Sequence, residues 1–183
     1  MSPMLERLAQ PDAEKIGVYV LINPEQARGL ASPPVAELTD AFEPALTLGL
    51  RSKGFDPVYL GSATYEGSHL ALSNRKLKDA VTRAGVPERL SSQDAGALLV
   101  VYVMVLHKLP LEHRAGITYE GTHPMLMGAS WLQFSRGANV EAFSIFQLPQ
   151  GWEKTPGGGY RSFTPREWAS AATNKILETI PQR

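Results

Sequence analysis

The chain has 183 residues, with 18 basic side chains balanced by 18 acidic ones, no cysteine and 43% hydrophobic residues. This length gives one domain with a core of its own, and the charge balance argues against a protein that neutralises many phosphates, so nucleic acid is not an expected partner. The missing cysteines exclude thiolate nucleophiles, cysteine-ligated zinc, iron–sulfur clusters and disulfides together.

The longest apolar run, Ala97 to Leu106, is interrupted only by Tyr102 and ends at His107 and Lys108. It falls far short of the roughly 20 residues that span a bilayer, so no transmembrane segment is expected. Residues 1–14 carry Glu6, Arg7, Asp12 and Glu14 without the apolar stretch of a signal peptide. They are expected to form an arm before a core of residues 15–181. The expected location is periplasmic or outer-membrane-associated where a signal segment has been removed, and cytoplasmic otherwise.

Lys15 to Ile22 is β-branched and apolar and stops at Asn23-Pro24, which predicts a first strand buried on both faces. Ser32 before Pro33 and Pro34 then caps a long helix, whose stripe is Val35, Leu38, Phe42, Ala45 and Gly49, and Gly54 closes it. Pro44 lies inside that pattern, where a proline costs about 3 kcal/mol, so a kink or a division into two helices is expected. Pro57 to Leu60 reads as a short second strand. Asn74 to Ala84 reads as a helix closed by Gly85, and Pro87 to Gln93 as a short helix leading into the apolar strand 97–106.

Beyond that strand the texture changes. Met125 to Phe134 and Val140 to Leu148 read as two strands paired in a hairpin through residues 135–139. A turn-rich stretch from Lys154 to Tyr160 leads to a last helix, marked by Thr164-Pro165-Arg166-Glu167 as a capping box with proline at its first position. The expected fold is α/β: a single mixed sheet of about five strands, three parallel plus a carboxyl-terminal antiparallel hairpin, covered by three main helices.

One internal repeat stands out. Thr64-Tyr65-Glu66-Gly67-Ser68-His69 returns as Thr118-Tyr119-Glu120-Gly121-Thr122-His123, with five of six positions identical. The copies follow the second and third strands, so parallel strands would place both at the carboxyl edge of the sheet, where open α/β sheets bind ligands. Glu66, His69, Glu120 and His123 would then offer two carboxylates and two imidazoles to a divalent transition metal, and with water in an open position to hydrolysis. The simpler reading is turn material, in which glycine supplies a positive φ and each histidine donates to a nearby carbonyl. A third reading is a small-ligand site at the same edge built on Asn23, Tyr65 and Tyr119.

Other candidates carry less chemistry. His107 and His113 have no visible partner for general-base work, and Gly157-Gly158-Gly159 lacks the lysine and hydroxyl of a phosphate loop. No Gly-x-Ser-x-Gly elbow occurs. Trp131, Phe134, Phe143 and Phe146 in the hairpin read as core, and an exposed face among them would make a partner surface.

The succession of elements resembles a known family. The first strand is followed by a helix closing at Gly54-Phe55 before Pro57-Val-Tyr-Leu60, and Gln93-Asp94-Ala95 precedes the most apolar strand. The hairpin ends near Pro149-Gln150-Gly151-Trp152 before an alanine-rich helix. Over residues 15–181 this is similar to the small α/β domain of bacterial envelope lipoproteins. That group includes the amino-terminal domain of TolB, the periplasmic domain of the curli secretion channel and lipoproteins that activate penicillin-binding proteins. The resemblance implies a non-catalytic domain that binds other envelope proteins or self-associates, with no catalytic residues and no cofactor. This sequence departs from the family in lacking the lipidated cysteine.

Overall fold

The computed structural model describes residues 3–24, 35–67, 73–108, 123–136, 141–148, 152–154, 156–157 and 160–183. Its centre is one mixed sheet of β1 (Lys15–Asn23), β2 (Asp56–Thr64), β3 (Ala97–Lys108), β4 (His123–Phe134) and β5 (Glu141–Leu148), in the order β2-β1-β3-β4-β5. β1 runs parallel to both β2 and β3, while β4 and β5 add antiparallel. The expected architecture is therefore present. Among the described residues five α-helices accompany the sheet: α1 (Pro3–Leu8), α2 (Val35–Ser52), α3 (Asn74–Arg83), α4 (Val86–Ser92) and α5 (Pro165–Leu177).

Alternation along β1 separates two cores. Ile16, Val18, Val20 and Ile22 face α2 and α5 together with Phe42, Leu46, Trp168 and Ile176, whereas Tyr19 and Leu21 face α3 and α4 with Leu77, Val81 and Leu90. The crossovers from β1 to β2 and from β2 to β3 thus lie on opposite faces, and the strand order reverses at the β1/β3 boundary. Full burial of a side chain such as Phe42 or Leu46 contributes about 1.5–3 kcal/mol.

Several expectations meet a physical refinement. α2 passes through Pro44 as one helix, because Pro44 and Asp40, whose carbonyl loses its donor, are both on the solvent side. The Ser32 cap lies outside the described residues. β2 continues past Leu60 because Gly61, at φ +108°, forms a bulge where the pairing shifts between Val18 and Val20 instead of ending the strand. The two ends of the turn-rich stretch, Lys154 and Tyr160, belong to a small ribbon not expected from the sequence, β6 (Trp152–Lys154) paired with β7 (Tyr160–Ser162).

The segment before β1 joins the core through Leu8 and Ala13, both fully buried. Its 3-10 turn at Pro11–Ala13 presses on the start of β3: a Cβ on Gly96 would meet Asp12 O at 1.6 Å, so only glycine fits there. The opposite terminus closes the same end. Arg183 Nη1 donates to Leu8 O at 2.8 Å and to Gln10 O at 3.0 Å, and its guanidinium lies over the Phe55 ring, 5.5 Å from the centroid.

Candidate functional site

β1, β2 and β3 are parallel, so Asn23, Thr64 and Lys108 mark one edge, and the β1/β3 boundary is where the strand order reverses. Asn23 is 1% exposed, and its Nδ2 donates to Tyr102 Oη at 2.7 Å and to Gly67 O at 2.9 Å. The β1/β3 register sets Leu21 opposite Tyr102, which brings the Tyr102 phenol to the end of β1. Tyr65 stands edge-on to Tyr102, with ring centroids 5.3 Å apart and planes at 89°, and its amide donates to Ile22 O at 2.8 Å.

Tyr65 and Gly67 of the repeat's first copy therefore join the buried network around Asn23 and Tyr102. Gly67 does not take a positive φ, which corrects the expectation for this glycine. A side chain there would strike the Tyr65 ring, since a Cβ would lie 2.5 Å from Tyr65 Cε1 and Oη. In the first copy Tyr65 and Gly67 thus go together because the ring folds back over the backbone two residues on.

Of the proposed ligand-binding residues, Asn23 and Tyr65 are brought to one cluster through Tyr102 and are buried within it. Tyr119 lies outside the described residues. Of the proposed metal ligands, Glu66 is exposed, while His69 and Glu120 lie outside the described residues. His123 begins β4 opposite Lys108, which puts the end of the second copy at the same sheet edge as the first. Among the described residues no group of three or more His, Asp or Glu side chains could hold a metal ion. Tyr102 was hidden in the sequence as the one polar-tipped side chain of an apolar run.

A second site lies on β5. α3 and α4 cover the face of β1 and β3, and Lys78 of α3 reaches Glu141 at 3.5 Å, at the start of β5. Beyond that contact no helix among the described residues covers the sheet: Phe143 is 37% exposed and Ile145 71% exposed. They face the same way as Trp131 and Ala129, their partners on β4, both of which are buried. Phe146 and Leu148 are buried beneath the α5 face, and Ser144 on that face contacts Ser130. So the hairpin aromatics divide. Trp131, Phe134 and Phe146 are core, as expected, and Phe143 is at the surface.

β5 is also an edge strand, with no sheet partner on its outer side among the described residues. A groove of about 480 Å³ adjoins this face between α3, α4 and the end of β4, lined by Lys78, Val81, Leu90, Leu98 and Gln133. No helix among the described residues is long and apolar enough to cross a membrane. No protein-family model matches the chain, and no curated protein matches it either.

Proposed function

We propose that this chain is a non-catalytic protein-interaction or assembly domain of the bacterial envelope type, using β5 and the face beside it. The observation that carries the reading is the apolar pair Phe143 and Ile145 on an open edge strand. An edge strand offers unpaired backbone donors and acceptors to an added strand, and an adjacent apolar stripe gives that strand something to bury. The resemblance to envelope lipoprotein domains supports the same reading, since those domains work by binding and assembly. A partner would be another envelope protein or a second copy.

The test is site-specific photo-crosslinking in bacteria expressing the protein, with benzoylphenylalanine at position 145 and, as a control, at the exposed Glu178 just after α5. Adducts at 145 and none at 178 are expected. No adduct at 145, or equal adducts at both positions, contradicts the reading.

A second reading has its own observation. Asn23 and Tyr102 meet where the strand order reverses, the position at which open α/β sheets bind small ligands. A thermal-shift screen tests it, because a ligand bound to the native state raises the apparent stability. A ligand whose shift vanishes in Asn23→Ala would favour this reading over the first.

A further inference from the structure

The 18 positive and 18 negative charges cancel over the whole chain but not locally. Over its whole length α2 carries Glu37, Asp40 and Glu43 against Arg51 alone, in its last turn, whereas α3 carries Arg75, Lys76, Lys78 and Arg83 against Asp79 alone. All of these side chains are exposed. The two helices pack on opposite faces of the sheet, so the acidic and basic surfaces look away from each other and cannot meet within one copy.

The exposed apolar side chains follow the same division. Among the described residues the large ones are Leu48, Phe143 and Ile145. Leu48 is 72% exposed, and helical spacing sets it on the outward stripe of Glu37, Asp40 and Pro44. Phe143 and Ile145 lie beside the basic helix, which the contact from Lys78 to Glu141 ties to β5. Each charged face thus carries exposed apolar side chains of its own, and the two faces are complementary in their prevailing sign.

We infer that this domain stacks head to tail on a second copy of itself, with the outer face of α2 in one copy docking on α3 and β5 of the next. This rests on the interaction reading above and names the partner. Opposite charges set the orientation and speed of encounter, while Leu48 against Phe143 and Ile145 supplies the apolar burial. Because the two surfaces differ, the contact is heterologous and repeats into a ring or a filament instead of closing as a two-fold dimer.

The experiment is sedimentation velocity on the full chain at about 0.01 M and about 1 M salt, between which the Debye length falls from about 30 Å to about 3 Å. The wild type is expected to associate at low salt and to lose most of that association at high salt. Two charge-reversed proteins follow: Arg75→Glu with Lys76→Glu, and Glu37→Lys with Asp40→Lys. Each alone sets like charges against each other and is expected to associate at least about tenfold more weakly than the wild type. Their equimolar mixture restores opposite signs at every contact and is expected to recover assembly.

A wild type that stays monomeric at low salt overturns the inference. So does a Glu37→Lys, Asp40→Lys protein that associates like the wild type, because the contact would then not use α2. In either case, crosslinking from position 145 to a different protein would leave the interaction reading standing, and its absence would remove both.

Discussion

Asn23 and Tyr102 join the ends of two parallel strands through one hydrogen bond of 2.7 Å between buried groups. The same amide nitrogen also holds Gly67 O, so one side chain at the end of β1 fixes both the third strand and the chain leaving the second. Asn23→Ala would leave the Gly67 carbonyl and the Tyr102 phenol without that donor, at an expected cost of about 1–3 kcal/mol. Urea unfolding measures the loss, and hydrogen exchange at the Tyr65 amide should accelerate because its acceptor, Ile22 O, lies one residue before Asn23. Tyr102→Phe keeps the ring contact with Tyr65 and should cost less.

Gly96 tests how tightly the amino-terminal segment closes the sheet. Gly96→Ala must push the Asp12 carbonyl away from a position 1.6 Å from the new methyl group, and Ala13 beside it is fully buried. A loss of about 2 kcal/mol or more is expected by chemical denaturation, as for an overpacked core. Gly157→Ala, with nothing within 4 Å of the added carbon, should stay within about 0.5 kcal/mol of the wild type.

The start of α5 gives a pH dependence with a defined sign. Thr164 N donates to Glu167 Oε2 at 2.7 Å, Glu167 N donates to Thr164 Oγ1 at 3.3 Å, and Arg161 grips both carboxylate oxygens at 2.6 and 2.9 Å. The Arg161 bonds and then the Thr164 amide lower the Glu167 carboxyl from 4.5 to about 2. A depressed carboxylate stabilises the fold fully above its unfolded value, and that contribution is lost as pH falls from 4.5 towards about 2. Thermal melts of the wild type and of Glu167→Gln should therefore converge across this window and differ most near neutral pH.

Metal content separates the interaction reading from its metal-bearing rival. Elemental analysis of the purified protein is expected to find no stoichiometric zinc, iron or manganese. About one ion per chain, lost in a protein carrying His69→Ala and His123→Ala, would instead assign the repeated motif to a metal site.

What could be read from the sequence depended on whether the signal was local. β1 and β3 are continuous apolar runs because both faces are covered, and the α5 cap is written within four residues, so both were legible. The length of β2 was not, because a bulge glycine and a terminating glycine look alike until the partner strand is known. Asn23 and Tyr65 could be placed at one sheet edge from topology, but Tyr102 links them only through the β1/β3 register. The exposure of Phe143 and Ile145 was equally hidden, since alternation names a face without telling which helices cover it.

Ile145→Lys tests most directly the proposal that another protein docks on the β5 face. Ile145 is 71% exposed, so the substitution should change folding stability by no more than about 0.5 kcal/mol. Association, measured on the same sample by sedimentation and by crosslinking from position 143, should fall at least about tenfold, as expected when a charge replaces the apolar centre of an interface. Unchanged association in a fully folded Ile145→Lys protein would contradict the account.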